Sequence, residues 1–358
     1  MSNPIYFYVY PSAFQNPGGG EIFLLKTKEY LEKENVQIRL FDMWRHQLKE
    51  GDILHVFGSV KEALGLMEVA RAKRVTIVHS PVIWYNWQSA FQIPYAWQER
   101  VACVLRQSAK SFFPFFPSDR RKMMALADVV LAGSEMEAGQ INRYFGIPRR
   151  AIEVVTYGVE ERYSSASGHL FRQKYGFKNF LLTVGRIEPR KNQLKLIRAA
   201  SKLDRILVII GNPVTRHMNY YERCRQEAGS NVHFVDQLPM DSEELVSAYA
   251  ACEVFALPSW FETPGLAALE AGLAGAKLVV TREGSTKEYF QDLVDYVNPA
   301  SERDIYEKIK NAFQKKKTNA LKNRLQEHFL WEQTAKRTKK IYSMFVPLPE
   351  AVHTEQTP

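Results

Sequence analysis

Short apolar runs alternate with amphipathic stretches along the whole chain, and this alternation predicts most of its elements. In the first half, the runs at 5–10, 36–41, 53–57, 75–79, 128–132 and 152–156 are short and apolar, so they predict strands. Between them, apolar positions spaced by three and four residues predict helices around 20–34, 60–72, 95–109, 119–126 and 135–145. The second half repeats the scheme, with strands at 180–185, 206–210, 232–235, 253–257, 277–281 and 293–297. Its helices are expected at 191–202, 218–228, 241–250, 264–274, 285–290, 302–315, 318–327 and 331–344. Alternating β and α elements predict α/β architecture with parallel, doubly wound sheets. Two such units would hold ligands at the carboxyl ends of their strands. The pattern breaks near 158–178, where Ser164-Ser165-Ala166-Ser167-Gly168 predicts a linker.

Within this pattern the most informative run is Pro258-Ser259-Trp260-Phe261-Glu262-Thr263-Pro264-Gly265-Leu266-Ala267-Ala268-Leu269-Glu270. Thr263 and Pro264 read as an N-cap and first helical residue. Leu266, Leu269 and Leu273 then form one apolar stripe, with Glu270 on or beside it. A carboxylate there is costly unless it has a partner. The two acids flank a helix N-terminus, which favours anions, and Glu270 would stand about 7 Å along the axis. Gly265 and Leu266 carry first-turn N–H groups that can hold phosphate or sugar oxygens; Pro264 has none.

A second run, Phe180-Leu181-Leu182-Thr183-Val184-Gly185-Arg186-Ile187-Glu188-Pro189-Arg190-Lys191-Asn192, is a strand followed by a cationic loop. Arg186 and Lys191 beside a helix start can neutralise a diphosphate. The chain has no Asp-x-Asp, so cations and helix dipoles are the substitute for a metal ion. Gly18-Gly19-Gly20 lies between the first strand and helix, where glycine lets a backbone approach a ligand closely. It does not make the G-x-G-x-x-G dinucleotide fingerprint. His79 ends the strand Val75–Val78 and is expected to face the ligand end.

The ordered set resembles the retaining glycosyltransferases of GT-B fold, family 4 (glycosyl transferases group 1), with their E-x7-E motif. Further matches are Ala127-Asp128-Val129-Val130 to Ser134, Tyr157-Gly158-Val159, and Ala251-Cys252-Glu253-Val254-Phe255-Ala256-Leu257-Pro258-Ser259. The resemblance runs from about residue 5 to 340 and implies two Rossmann-like domains facing a central cleft. Residues 1–165 would form the acceptor-binding domain and 166–330 the nucleotide-sugar domain. Residues 331–345 would be a helix crossing back to the first domain, and 346–358 a disordered tail. It implies a hexosyltransferase moving sugar from a nucleotide donor, UDP- or GDP-linked, to a hydroxyl in a glycan, polysaccharide or glycolipid. Glu262 would meet the donor sugar, with His79 approaching it. Gly185, Arg186, Lys191, Gly265, Leu266 and the Gly19-Gly20 loop would serve the diphosphate, and Glu270 the ribose. The nucleobase would lie near Asn212, Gln237 and Leu238. Most members carry an aromatic residue where this chain has Pro264, which leaves the loop shape and sugar preference open. A non-catalytic sugar-nucleotide-binding subunit, or an epimerase or phosphorylase of the same fold, is the alternative; no motif marks a pyridoxal-phosphate lysine.

Composition narrows this further. With 358 residues, 46% hydrophobic and 24% charged, the chain is long enough for two globular domains. No apolar run reaches the roughly 20 residues of a membrane helix, and no secretory signal is visible. Cys103, Cys224 and Cys252 are far apart and read as buried hydrophobes in a reducing compartment; no metal spacing appears. A cytoplasmic location is expected, at or away from a membrane face. The net charge of +9 suits phosphate handling or an anionic lipid surface. Nucleic acid is not expected, because no zinc-finger spacing or RNA-recognition motif is present. Two readings stand for 84–122, where Trp84, Trp87, Phe91, Trp97 and Phe112 interleave with Arg100, Arg106 and Lys110. One is an acceptor or membrane surface; the other is core aromatics beside a solvated basic helix.

Overall fold

The computed structural model describes residues 4–11, 13–15, 18–85, 101, 105 and 117–348. These form two compact units. One takes the described residues up to Ile83, those from 117 to Tyr157, and those from Trp331 onward. The other takes Gly158–Leu330, with Trp84 and its described neighbours.

The first unit is built on a six-stranded sheet, ordered β2-β1-β3-β4-β5-β6. Its strands are β1 (Ile5–Tyr8), β2 (Ile38–Leu40), β3 (Ile53–Phe57), β4 (Thr76–Ser80), β5 (Val129–Ala132) and β6 (Ile152–Val154). All neighbouring pairs are parallel. Every residue of β1, β3 and β5 is buried, which is why these strands read as unbroken apolar runs. Around the sheet lie α1 (Gly19–Lys33), α2 (Leu64–Ala72), α3 (Asp119–Leu126) and α4 (Glu135–Phe145). Ser118 and Ser134 cap the last two, each accepting from a backbone N–H three residues on. The terminal helix of the chain, Trp331–Tyr342, also packs in this unit, against α1. Trp331 lies 6.1 Å from the Phe23 ring and 6.5 Å from that of Tyr30. Tyr342 reaches the sheet, its hydroxyl 2.5 Å from Nδ1 of buried His55, whose Nε2 is 2.8 Å from Ser80.

The second unit carries another parallel sheet, ordered β12-β11-β10-β7-β8-β9. Its strands are β7 (Leu181–Val184), β8 (Leu207–Ile210), β9 (Val232–Val235), β10 (Val254–Leu257), β11 (Lys277–Thr281) and β12 (Asp295–Val297). The helices here are α5 (His169–Tyr175), α6 (Gln193–Ala200), α7 (Met218–Gln226), α8 (Glu243–Ala251), α9 (Leu266–Leu273), α10 (Thr286–Phe290), α11 (Glu302–Gln314) and α12 (Ala320–His328); the terminal helix is α13. Ile305, Ile309 and Ala312, spaced by four and three, put one stripe of α11 into the core. The strand order reverses between β7 and β10. The loops after those two strands therefore lie at a topological switch point, where open α/β sheets bind ligands.

Several expectations change. The segment 158–178 is not a plain linker: a 3-10 turn, Glu161–Ser165, and α5 occupy it. Phe171 is fully buried, and its N–H donates to Ser247 Oγ at 3.0 Å. Two aromatics and a leucine in α5 gave too short a period to read against the serine run before it. The tail is ordered at its start, since Val346 is 6% exposed and bonds back to Tyr342; residues 349–358 lie outside the described residues. So do the helix expected around 95–109, apart from residues 101 and 105, most of the aromatic and basic stretch 84–122, and Cys103. Cys224 and Cys252 are free and buried, and burial pushes each thiol up to about 12. Among the described residues no helix is long and apolar enough to cross a membrane.

Candidate functional site

The loops that follow β7 and β10 form one network. After Val184 the chain turns through Gly185 and Arg186, then makes a 3-10 turn, Pro189–Lys191. Asn192 takes a left-handed conformation at φ 61°, which asparagine tolerates better than most residues. Its side-chain amide donates to the carbonyls of Pro258 (3.0 Å) and Pro299 (2.9 Å). Trp260 N–H donates to the Arg190 carbonyl at 2.9 Å. Gln193 fixes the first loop from the other side, donating to the Arg186 carbonyl at 2.9 Å.

This frame brings Glu262 to Lys191. The Lys191 ammonium lies 2.7 Å from Glu262 Oε1, and Arg190 is 3.4 Å from the same oxygen. Glu262 is 5% exposed. Burial pushes its carboxyl up, but Lys191 and then Arg190 outweigh that and hold it below the usual carboxylate range. Arg190 is itself held by Glu188 at 3.1 Å and by the Phe261 carbonyl at 3.2 Å. Arg186 is more open and 3.8 Å from Glu188. These five side chains carry three cations and two carboxylates, a surplus of one positive charge for an incoming anion.

The Glu262 backbone is clamped by the loop after β11. Its N–H donates to the Glu283 carbonyl, and its carbonyl accepts from Ser285 N–H. Between them Gly284 has φ +106°, and a Cβ there would stand 2.0 Å from the Glu262 carbonyl oxygen. Gly265 is constrained likewise, with φ +92° and Leu257 2.9 Å from any Cβ. Glu188, Arg190, Asn192 and the Glu283-Gly284-Ser285 clamp were missed from sequence. Their signal is tertiary, although the proline-bounded charges of 188–191 marked the place.

The expected cap is corrected. The Thr263–Pro264 peptide is cis, and α9 begins at Leu266 with Gly265 as its N-cap. A left-handed glycine, not Thr263, turns the chain into the helix. Gly265 and Leu266 N–H groups still open the first turn, and Glu270 falls four residues into the helix, roughly 6 Å along it. Ala268, Leu269, Ala271 and Leu273 are buried, whereas Leu266 is half-buried, so the apolar stripe is shifted from the one expected. Glu270 is half-buried, and the surrounding protein raises its carboxyl to about 7 against hydrogen bonds from Tyr249 and Tyr163. Glu160 adds to the rise, and Arg162 opposes it. Asn212 and Gln237 meet as well: the Gln237 N–H donates to Asn212 Oδ1 at 3.0 Å, with Leu238 next in the chain. Both are exposed.

In the first unit, the residues singled out from sequence already have partners. Gly19 and Gly20 open α1 rather than a loop, with Gly18 as the N-cap. Glu21 closes a capping box, its carboxylate accepting from Gly18 N–H at 2.8 Å and from Tyr10 at 3.1 Å. A protein carboxylate thus stands where an anion would bind. His79 is fully buried in β4, its Nε2 3.0 Å from the Gly58 carbonyl. Burial pushes its imidazole down to about 4, against that carbonyl, so it is neutral at pH 7.

Comparison with known proteins agrees with this layout. The family model described as glycosyl transferases group 1 matches residues 170–328. A D-inositol 3-phosphate glycosyltransferase of Mycolicibacterium smegmatis is 31% identical over 44% of this chain and 38% of its own length. One from Corynebacterium glutamicum is 24% identical over 77% of this chain and 79% of its own. For the other relatives compared, the chain spans about half of their length. Among solved structures, a glycosyltransferase of Rickettsia africae superposes with a TM-score of 0.71 at 15% identity, covering 96% of this chain and 98% of that one. Anabaena HepE in complex with UDP-glucose gives 0.69 at 16%, covering 96% and 100%. Residues 170–328 thus match the glycosyl transferases group 1, in a chain with the two-sheet GT-B fold of the glycosyltransferases.

Proposed function

We propose that this chain transfers a sugar, with retention, from a nucleoside-diphosphate donor to a hydroxyl of a carbohydrate or lipid-linked acceptor. The observation that carries this reading is the Lys191–Glu262 pair, with Arg190 and Arg186, at the switch point of the second sheet. A departing nucleoside diphosphate gains negative charge, and a surplus of fixed cations stabilises it without reorganisation. Arg186 and Lys191 take the diphosphate, helped by Gly185 and by the Gly265 and Leu266 N–H groups. Glu262, kept ionised and largely dry, takes the donor sugar hydroxyls. Glu270 accepts from the ribose diol, and the Asn212–Gln237–Leu238 loops border the nucleobase. No metal ion is needed for this chemistry.

The relatives named D-inositol 3-phosphate glycosyltransferases and the HepE complexes with UDP and UDP-glucose support a nucleotide-sugar donor and a hydroxyl acceptor. A role in glycan or glycolipid synthesis on the cytoplasmic side is part of the same proposal. His79 acts here through loop shape, since its ring is buried and neutral. Titrating UDP, GDP and ADP into metal-free protein by calorimetry tests the reading, beside the double variant Arg186→Ala, Lys191→Ala. One nucleotide binds and the variant loses it. Failure of all three to bind would overturn the donor site.

A further inference from the structure

Trp44 is 90% exposed, the most open large hydrophobic side chain described, and its neighbours Met43 and Leu40 are 54% and 45% exposed. It does not sit on a slack loop. The Asp42 carboxylate accepts from Trp44 N–H at 2.9 Å, and the Asp42 carbonyl accepts from His46 N–H at 2.9 Å and Arg45 N–H at 3.2 Å. His46 closes the turn, its Nδ1 accepting from Asp42 N–H at 3.0 Å. Beneath the tip, the rings of Phe41 and His46 lie 5.7 and 5.0 Å from Tyr6 of β1. Phe41 N–H extends the ladder to the Phe7 carbonyl. The chain thus builds a rigid turn at the carboxyl end of edge strand β2 and leaves an indole standing out in water.

We propose that the turn Asp42–His46 is a contact point for an anionic lipid surface. Tryptophan favours the membrane–water interface, where its apolar body is buried and its N–H stays wet. The charges around the tip fit anionic headgroups. Arg39 and Lys49 are exposed, and the Arg45 side chain is 84% exposed. The nearby acids are each engaged. Asp42 accepts from Trp44 N–H and its Oδ2 lies 3.6 Å from Arg45, Glu50 lies 3.7 Å from Arg74, and Asp52 is buried, accepting from Lys49 N–H. This leaves Arg39 and Lys49 as the cations with most to offer a headgroup. A sugar-stacking tryptophan would need hydrogen-bonding groups beside its face, whereas Met43 and Leu40 are exposed alongside this one. The inference is independent of the donor-site reading, because it uses none of those residues.

Flotation of the full chain with vesicles tests it, comparing phosphatidylcholine alone with phosphatidylcholine mixed with phosphatidylglycerol. The protein floats with the mixed vesicles. Trp44→Ala lowers partitioning at least about tenfold, the effect of losing one inserted apolar side chain. Lys49→Ala lowers it about fivefold, and only with the anionic mixture. Since Trp44 makes little packing contact, its variant keeps the parent melting temperature. Two results overturn the proposal: wild-type protein that stays unbound, and Trp44→Ala binding vesicles as well as the parent. Weaker binding of a soluble sugar acceptor by Trp44→Ala, with vesicle binding unchanged, would make the turn a sugar platform instead.

Discussion

Replacing Lys191 by methionine removes one partner of a largely buried ion pair and leaves the other. The pair is 2.7 Å long, with 14% and 6% of its side chains exposed. Removing one partner from such a pair costs about 3–5 kcal/mol, mostly because the remaining charge is left desolvated. Arg190, 3.4 Å from the same oxygen, stays and moderates the loss. The expected cost of Lys191→Met is therefore near the low end, about 3 kcal/mol at pH 7. In the parent, Glu262 lies below its usual value of 4.5, so its contribution is fully present above that pH and is lost as pH falls through the depressed value. In the variant, burial dominates and the carboxyl rises above its unfolded value. A raised carboxyl is destabilising once pH exceeds the unfolded value, so the cost of Lys191→Met shrinks as pH falls toward 4.5. Urea unfolding of Lys191→Met, Glu262→Gln and the double variant, at neutral and acid pH, measures both effects. The cycle should give a coupling of about 2 kcal/mol. A coupling under about 0.5 kcal/mol, or a cost independent of pH, would refute the buried pair.

Two further predictions concern the same unit. Glu270, raised to about 7, accepts from a ribose diol better when ionised, so nucleotide affinity should climb as pH rises through that value; Glu270→Gln should bind weakly and give a flat pH profile by calorimetry. Gly284→Ala puts a methyl 2.0 Å from the Glu262 carbonyl oxygen at φ +106°, and should lose at least about 2 kcal/mol by urea unfolding, while an unchanged midpoint would mean the clamp is loose.

Sequence showed the elements better than the contacts. The twelve strands were legible because buried parallel strands are unbroken apolar runs such as Leu207–Ile210, all four residues of which are buried. Alpha5 was not, since its roughly two turns show one fully buried residue, Phe171, beside a polar run. At the site, Arg186, Lys191 and Glu262 stood out as charges near glycine or proline after strand ends, and Glu270 as a carboxylate on or beside an apolar helical stripe. What could not be read was which charges meet. Lys191 is 71 residues from Glu262 in the chain, and the bond between them depends on Asn192 and Trp260 locking two loops together. The start of α9 was misread because Thr-Pro is also a common cap, and only tertiary packing selects the left-handed Gly265 in its place.

The two units differ in how much charge they leave to a ligand. At the carboxyl edge of the second sheet, three cations face two carboxylates among these side chains, a surplus of one positive charge that favours a bound anion. In the first unit most of the corresponding groups are already engaged. Glu21 fills the head of α1, and His79 Nε2 bonds the Gly58 carbonyl, although its buried Nδ1 has no partner among the described residues. Glu137, 1% exposed, accepts from Ile83 N–H at 2.6 Å and Gly133 N–H at 2.8 Å, tying the ends of β4 and β5 together. Such groups set loop geometry, because a buried carboxylate already holding two backbone donors has little to gain from a ligand. Binding strength should therefore reside in the second unit. Selectivity for the acceptor should then respond to changes in loop shape in the first, such as Glu137→Gln, without loss of nucleotide affinity.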